Sequence, residues 1–301
     1  MNINFVKYTK TYYIFSGILA AGAVLAIMVF GLNSGIDFLG GSILEVEFEQ
    51  LPENRAIQEK LSDLNLGEIV IQPTEERGII LRTKEIDEVT YQTIILRLGE
   101  ISPVKELRFE SIGPVIGQEL RKKTITLIVV SLIALLIYIA ISFRKVSRPI
   151  ASWQYGSVSI ITLAFDVLIT IGLFSVIGRF SNVQFSIAII TALLTILGYT
   201  INDKVVVFDR VRENLLRHAV ADFDTLVNQS LNQTIIRTIS TGTCSLLVLF
   251  AIFFFGGETL KYFSLALIVG IITGTFSSLF IASPLLVSWE KFRQRRLARG
   301  R

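Results

Sequence analysis

The chain has 301 residues, of which 51% are hydrophobic and only 18% are charged, and its formal net charge is +4. A soluble domain typically carries about 25% charged residues, so this composition excludes an ordinary soluble domain. The single cysteine, Cys244, excludes an intrachain disulfide, and His218 is the only histidine. Metal chemistry needs clusters of such ligands. We therefore expect a membrane protein with no metal, no cofactor and no nucleic-acid partner.

Six apolar segments are long enough to cross a membrane as helices, which takes about 20 residues each. They cover residues 12–32, 124–143, 157–177, 185–208, 238–255 and 262–289. The pattern predicts a polytopic α-helical membrane protein with six transmembrane helices and both termini on the same side. The loops that would then be cytosolic carry the excess of Lys and Arg, which favours cytosolic termini.

The long polar segment between the first two spans predicts a compact α+β domain. Residues 42–49 alternate apolar and acidic side chains, as in a strand with one face in water. The further predicted elements are a helix at 52–65, a hairpin of 68–72 and 78–82 around the turn 73–76, a helix at 87–99 and a strand at 104–110. The order βαββαβ is that of a ferredoxin-like fold. This segment contains no His or Cys, so we expect an extracytoplasmic interaction domain and not an enzyme.

The predicted organisation therefore has four parts. Residues 1–34 form the N-terminus and transmembrane helix 1, and residues 35–120 form the extracytoplasmic ferredoxin-like domain. Residues 121–290 contain transmembrane helices 2–6, and residues 291–301 form a basic cytosolic tail.

Two glycine-rich features flank or line the spans. Gly35, Gly40 and Gly41 bracket Asp37 where the chain leaves the first span. Glycine permits a tight turn, in which Asp37 would bond backbone amides. In the sixth span, Gly270 and Gly274 lie one helical turn apart, a spacing that lets helices approach closely.

The fourth span contains the most informative charges. Asp203 lies near its inner end, and Arg237 enters the fifth span at a similar depth, so the two side chains can be neighbours. Burial drives a carboxylate towards its neutral form, whereas an adjacent guanidinium favours the ionised form. A site balanced between these effects could exchange a proton. The alternative is that both residues only anchor helix ends.

Asp166 lies near the middle of the third span, where a charge is least tolerated. Two interpretations remain open. Asp166 belongs to a proton path, or it is structural and bonds nearby hydroxyl groups. We rank it second to Asp203 as a proton-coupling candidate.

The fourth span continues into a charged cytosolic extension. Asp209, Arg210, Arg212 and Glu213 follow one another at helical spacing. Such an array is usually a solvated face, and the alternative is a contact surface for partner loops.

Four motifs carry a resemblance to a known family. They are GIDFLGG at 35–41, IGPVIGQEL at 112–120, GYTINDKVVVFDRVREN at 198–214 and QTIIRTISTGT at 233–243. Together they resemble the SecF proteins of the SecD/SecF family, which belongs to the resistance-nodulation-division (RND) superfamily. The resemblance covers the whole chain in the right order. The resemblance also implies residues of the family motifs that are candidates for contact with a partner subunit. They are Gly35, Asp37, Gly40, Gly41, Gly198, Asn202, Asp209, Arg210, Arg212, Glu213 and Asn214.

The resemblance implies an accessory subunit of the Sec protein-export machinery that is not an enzyme. It implies pairing with a SecD-like subunit, assistance to the SecYEG translocon, contact with unfolded exported polypeptide and membrane lipid, and use of the proton motive force. It places the chain in a bacterial-type plasma membrane, with a thylakoid membrane as an alternative. One departure is Phe165, which precedes Asp166 where the family often has histidine.

Two other functions remain open at this point. The chain could be half of an RND-type proton-coupled exporter of small molecules or lipids, or an inert scaffold whose charges only anchor helices. An exporter half would need a larger outer domain than the segment between the first two spans supplies.

Overall fold

The structure is a computed structural model that describes residues 3–74, 77–143, 150–181, 183–217 and 222–299. Glu75 and Glu76 of the predicted turn, His218 and the end of the basic tail lie outside the described residues. Within the described ranges, six helical segments are long and apolar enough to cross a membrane. The predicted number of spans is thus confirmed.

The elements follow one another in chain order. They are α1 (Thr9–Phe30), α2 (Ile36–Leu39), β1 (Gly41–Phe48), α3 (Asn54–Leu61), β2 (Val70–Pro73), β3 (Gly78–Thr83), α4 (Glu88–Gly99), β4 (Val104–Ile112), α5 (Pro114–Ser142), α6 (Ser152–Ser181), α7 (Ile187–Arg217), α8 (Phe223–Phe255), α9 (Glu258–Ser277) and α10 (Ser283–Arg299). A 3₁₀ turn, Val6–Tyr8, precedes α1, and a π-helical turn, Ser278–Ala282, joins α9 to α10 within the sixth span.

The chain divides into two compact units. One contains the strands, α2–α4, the start of α5 and the segment Ser181–Ile187. The other contains α1, the remainder of α5, and α6 to α10.

The first unit contains a small antiparallel sheet of order β2-β3-β1-β4. Leu44, Val46 and Phe48 on one face of β1 are buried against side chains of α3 and α4, such as Ile57 and Leu98. Burying one such side chain contributes about 1.5–3 kcal/mol. The alternation seen in the sequence therefore builds a core within this unit.

Local signals explain where two of the helices begin. The Asp87 side chain accepts a hydrogen bond of 3.0 Å from the Thr90 backbone N–H, which caps α4. Pro114 is the first residue of α5, a position that suits proline because the first N–H of a helix needs no intrahelical partner. The helix thus begins ten residues before the apolar run at 124–143, because a helix can continue beyond the apolar part that is able to cross lipid.

Helix α7 is the most enclosed of the first five spans. In the most apolar stretch of α7, 56% of the residues are buried, against 11% in the same part of α5 and of α8.

The close approach of helices matters in a membrane. Lipid is as apolar as the helices, so no hydrophobic force drives the helices together and their association depends on tight packing. A Cβ atom at Gly172 of α6 would lie 2.7 Å from Cα of Ala23 on α1, and one at Gly270 would lie 2.1 Å from Ile196 on α7. The glycines thus set the positions at which these helices meet.

Candidate functional site

One face of α6 carries polar side chains into the interior of the bundle. Ser159, Thr162, Asp166 and Thr170 recur every three to four residues, and each is at most 1% exposed. That spacing places them along one side of a helix. Thr162 and Thr170 satisfy their hydroxyl groups on backbone carbonyls of α6 itself. Ser159 Oγ has no hydrogen-bond partner among the described residues. Asp166 is the ionisable group on this face, and burial makes a partner from another helix most important for it.

Lys204 of α7 supplies that partner. Its Nζ donates to Asp166 Oδ2 at 2.8 Å, and both side chains are 0% exposed. Burying two opposite charges in contact inside a helix bundle costs far less free energy than burying either charge alone. Lys204 is not among the site residues predicted from the sequence. The available signal was a lysine in the middle of a helix whose next turns, at Val207, Phe208 and Val211, are apolar and buried.

The ion pair lies where α6, α7 and α9 meet. A Cβ atom at Gly274 of α9 would lie 2.0 Å from Thr200 Cγ2 and 3.7 Å from Asp166 Oδ2. Asp166 Oδ1 and Thr200 Oγ1 have no hydrogen-bond partner among the described residues, and Ser277 Oγ donates to the Gly274 carbonyl at 3.1 Å. Gly274 is thus needed for α9 to approach the pair.

Asp203 has different surroundings from Asp166. It is 5% exposed, and its Oδ2 has no hydrogen-bond partner within the described part of the chain. The charges of Lys204 and Arg237 both act on it. However, the ion pairs found among the described residues, with N···O distances up to 4.0 Å, do not include one between Asp203 and Arg237. The two residues share a region, with Arg237 exposed on α8, but are not in contact in this conformation.

The glycine-rich exit turn brings together residues that are far apart in the sequence. Asp37 Oδ2 accepts a hydrogen bond of 2.9 Å from the backbone N–H of Ile187, the first residue of α7. Gly40 and Gly41 have positive φ angles of 79° and 135°, and a Cβ atom at Gly40 would lie 2.8 Å from Cα of Pro114. Gly35 donates its N–H to the Phe185 carbonyl at 3.0 Å. Asp37 therefore bonds a backbone amide, and both Gly40 and Gly41 are positions that favour glycine.

The charged extension of α7 separates into two kinds of residue. Arg210 pairs with Glu213 at 2.8 Å, and Arg212 lies 3.7 Å from Asp209, on the surface of the same helix. Asn214 is only 4% exposed, and its Nδ2 donates to Ser230 Oγ at 2.8 Å and to Gln233 Oε1 at 3.0 Å on α8. Asn214 thus joins α7 to α8, whereas the charged side chains lie at the surface.

A different face of α7 is exposed although its residues are polar or small and not apolar. Thr195, Gly198 and Asn202 are exposed and follow one another at spacings of three and four residues. Among the described residues, no neighbouring atom lies within 4 Å of where a Cβ atom at Gly198 would stand. Polar side chains on a membrane-spanning helix usually face protein and not lipid. Together with the buried charges, this face is typical of a membrane protein of the transport class.

Comparison with known families defines the class further. The family described as "Protein export membrane protein SecD/SecF, C-terminal" matches residues 96–292, and "SecD/SecF GG Motif" matches residues 25–50. The chain belongs to the SecD/SecF family of protein export membrane proteins. The second match covers the exit turn with Gly40 and Gly41.

Individual relatives agree with this assignment. The chain is 37% identical to "Protein translocase subunit SecF" of Thermobaculum terrenum, over 96% of this chain and 94% of that protein. It is 32% identical to the protein of the same description from Synechocystis sp., over 97% and 96% of the two chains. It is thus a multi-pass protein of the bacterial membrane whose relatives are translocase subunits.

Solved structures show the same fold. The crystal structure of SecDF, a translocon-associated membrane protein from Thermus thermophilus, matches with a TM-score of 0.85 and 34% identity over 97% of this chain. A second SecDF structure, described as the super-membrane-facing form, matches with a TM-score of 0.71. The chain spans only 39% of the first SecDF chain.

Proposed function

We propose that the chain is the SecF-type accessory subunit of the Sec export machinery. It pairs with a SecD-like subunit and uses the proton motive force to assist translocation through SecYEG. The observation that carries this proposal is Asp203 on the central helix α7 of a chain that resembles SecDF. It is a buried carboxylate that has no direct partner among the residues the structure describes. An intramembrane ionisable group of this kind is by default a candidate for function.

Two features support an obligatory partner. RND-type transporters are commonly built from two related halves around an axis normal to the membrane, and this chain supplies six spans. Its α7 leaves Thr195, Gly198 and Asn202 exposed at the surface. A second six-span chain docked on this face would enclose these residues and bring its own groups close to Asp203 and Arg237.

The charge on Asp203 would change during the cycle. Arg237 is near enough for its charge to favour the ionised carboxylate, whereas burial favours the neutral form. Uptake of a proton would weaken the attraction between the two side chains, and its release would restore that attraction. Because the two groups are on α7 and α8, such a change would bias how these helices pack.

The unit containing the sheet would lie outside the cytosol as a ferredoxin-like domain, with both termini of the chain in the cytosol. Its order β2-β3-β1-β4 with two helices against one face agrees with a split βαβ fold. We propose that this domain contacts exported polypeptide or the partner. The basic residues of α10 would then lie at the cytosolic surface, near lipid headgroups.

The test uses cells in which export depends on this chain. Asp203→Asn keeps the side-chain volume and removes the titration, so it should abolish the uncoupler-sensitive stimulation of reporter export while the protein remains at normal abundance. Arg237→Lys should impair it, because a point charge on a flexible stem does not reproduce a planar guanidinium.

The matched control is Arg179→Lys, at an exposed arginine near the end of α6, which should leave the stimulation unchanged. Normal uncoupler-sensitive stimulation in Asp203→Asn would contradict the assignment of proton coupling to this residue.

A further inference from the structure

The pair formed by Asp166 and Lys204 has a different character from Asp203. Within the described ranges, Asp166 is the single ion-pair partner of Lys204. If Asp166 took up a proton, the Lys204 ammonium group would remain inside the bundle without a counter-ion. An isolated buried charge is strongly unfavourable. The ion pair with Lys204 thus opposes protonation of Asp166.

The geometry around the pair also opposes movement. The Nζ–Oδ2 contact joins α6 to α7, across 38 positions of the sequence. Helix α9 packs against both of these helices at the same level. Its Gly274 lies so close to Thr200 of α7 that any larger side chain at position 274 would overlap with Thr200. Separation of Asp166 from Lys204 would require α6 or α7 to move relative to α9.

Asp203 and Lys204 are neighbours in sequence but point in different directions. Successive residues of an α-helix are about 100° apart around the axis, so one helix can direct the two side chains into different surroundings. Lys204 contacts Asp166 on α6, whereas Asp203 has no ion-pair contact among the described residues and only the more distant charges of Lys204 and of Arg237 on α8 act on it. Helix α7 therefore separates a paired carboxylate from an unpaired one.

We propose that Lys204 is a positioning residue: it keeps Asp166 ionised throughout the cycle and clamps α6 to α7, so that Asp203 alone changes its charge. The clamp stands on the contact geometry, and the assignment of the changing charge to Asp203 rests on the proposed function. The pair is thus a fixed part of the bundle, against which α8 with Arg237 can shift.

The stability test compares single and double replacements in the purified full-length chain. Asp166→Asn and Lys204→Met should each lower the Tm by roughly 5–10 °C. The first leaves a buried ammonium group without a counter-ion, and the second removes the ion pair and forces Asp166 to take up a proton. The double variant Asp166→Asn/Lys204→Met removes both charges and should regain most of the loss. The matched control is the exposed pair Lys123 and Glu119, 2.8 Å apart, where Lys123→Met should shift the Tm by less than about 2 °C.

A chemical test distinguishes the charge states of the two carboxylates. Dicyclohexylcarbodiimide reacts with protonated carboxyl groups in apolar surroundings, and mass spectrometry locates the adduct. In the unsubstituted protein we expect labelling of Asp203 and not of Asp166. In Lys204→Met, Asp166 loses its counter-ion and should become labelled. Equal labelling of Asp166 and Asp203 in the unsubstituted protein would overturn the proposal.

The export assay completes the test. The double variant should retain most of the uncoupler-sensitive stimulation, because it leaves no unpaired charge between α6 and α7 and because Asp166 takes up no proton in the proposed cycle. A double variant that is stable but shows no stimulation would mean that Asp166 itself carries the proton, and unchanged stability in Lys204→Met would mean that no clamp exists. If the unsubstituted chain shows no stimulation, the export role fails, while the thermal and labelling results still decide the role of the pair.

Discussion

At the scale of single residues, two buried carboxylates on adjacent helices have opposite surroundings. Asp166 Oδ2 has an ammonium group at 2.8 Å, whereas Asp203 forms no ion pair with the residues that the structure describes. Groups whose environments differ in this way take different roles in a site that handles protons. The position of Lys204, which faces one of these carboxylates and not the other, makes the difference.

A second residue-scale feature lies in the unit with the sheet, outside the membrane spans. The Tyr91 hydroxyl donates a hydrogen bond to the Glu106 carboxylate, and the Tyr91 ring stacks on Phe109 with centroids 4.3 Å apart. The bond to Glu106, burial of the ring and the carboxylate charge raise the pKa of Tyr91 from 10.0 to about 12. Because the proton is held more tightly in the folded state, this contribution to stability is fully present below pH 10 and is lost as the pH rises towards 12.

Tyr91 is the only tyrosine between residues 33 and 123, which permits a direct measurement. A fragment of residues 41–112 should fold alone, because its buried side chains form their own core. Its tyrosinate absorbance should titrate with a midpoint near 12. The variant Glu106→Gln should lower that midpoint by removing the carboxylate charge. A fragment that titrates at the ordinary value while showing folded circular dichroism would contradict the Tyr91–Glu106 contact.

At the scale of elements, the approach of α1 to α6 depends on one glycine. A Cβ atom at Gly172 would lie 2.5 Å from Cβ and 2.7 Å from Cα of Ala23. We expect Gly172→Ala to destabilise the purified protein by about 1–3 kcal/mol, since backbone atoms cannot move aside cheaply. Thermal unfolding in detergent measures this effect.

The matched control for this prediction is Gly17→Ala on α1, where no atom lies within 4 Å of the added Cβ position. This change should be neutral or slightly stabilising, because alanine favours the helix more than glycine does. Equal stability of both variants would mean that α1 and α6 are not held in this close contact.

At the scale of the whole molecule, we expect the chain to copurify with a six-span SecD-like chain. The exposed stripe of Thr195, Gly198 and Asn202 on α7 is the proposed contact. Gly198→Leu should therefore reduce recovery of the partner without changing the abundance of this chain. Ala134→Leu is the control, since Ala134 is exposed between the exposed apolar residues Ile133 and Ile137 of α5. Recovery of this chain alone, under conditions that preserve other membrane complexes, would argue against an obligatory partner.

The sequence alone determined the number of spans and the presence of the small antiparallel sheet. Both follow from the spacing of apolar residues over short distances, as in the alternation of Leu44, Val46 and Phe48. The sequence was less informative about helix ends, because α5 starts at Pro114 in a polar stretch. The same reasoning identified Asp166 and Asp203 as unusual, because a carboxylate in an apolar run is costly wherever the run folds.

Only the tertiary structure decided which charges meet. Asp166 and Lys204 are 38 residues apart, and Asp37 and Ile187 are 150 apart, so no local pattern joins them. The sequence hypothesis coupled Asp203 with Arg237 from their similar depth alone, but depth leaves open which way each side chain points around its helix. The rotation of α7 is set by the packing of side chains such as Thr200 against Gly274. That rotation directs Lys204 towards Asp166 and leaves Asp203 without an ion-pair partner in the described part of the chain, because one helix cannot present neighbouring residues to the same side.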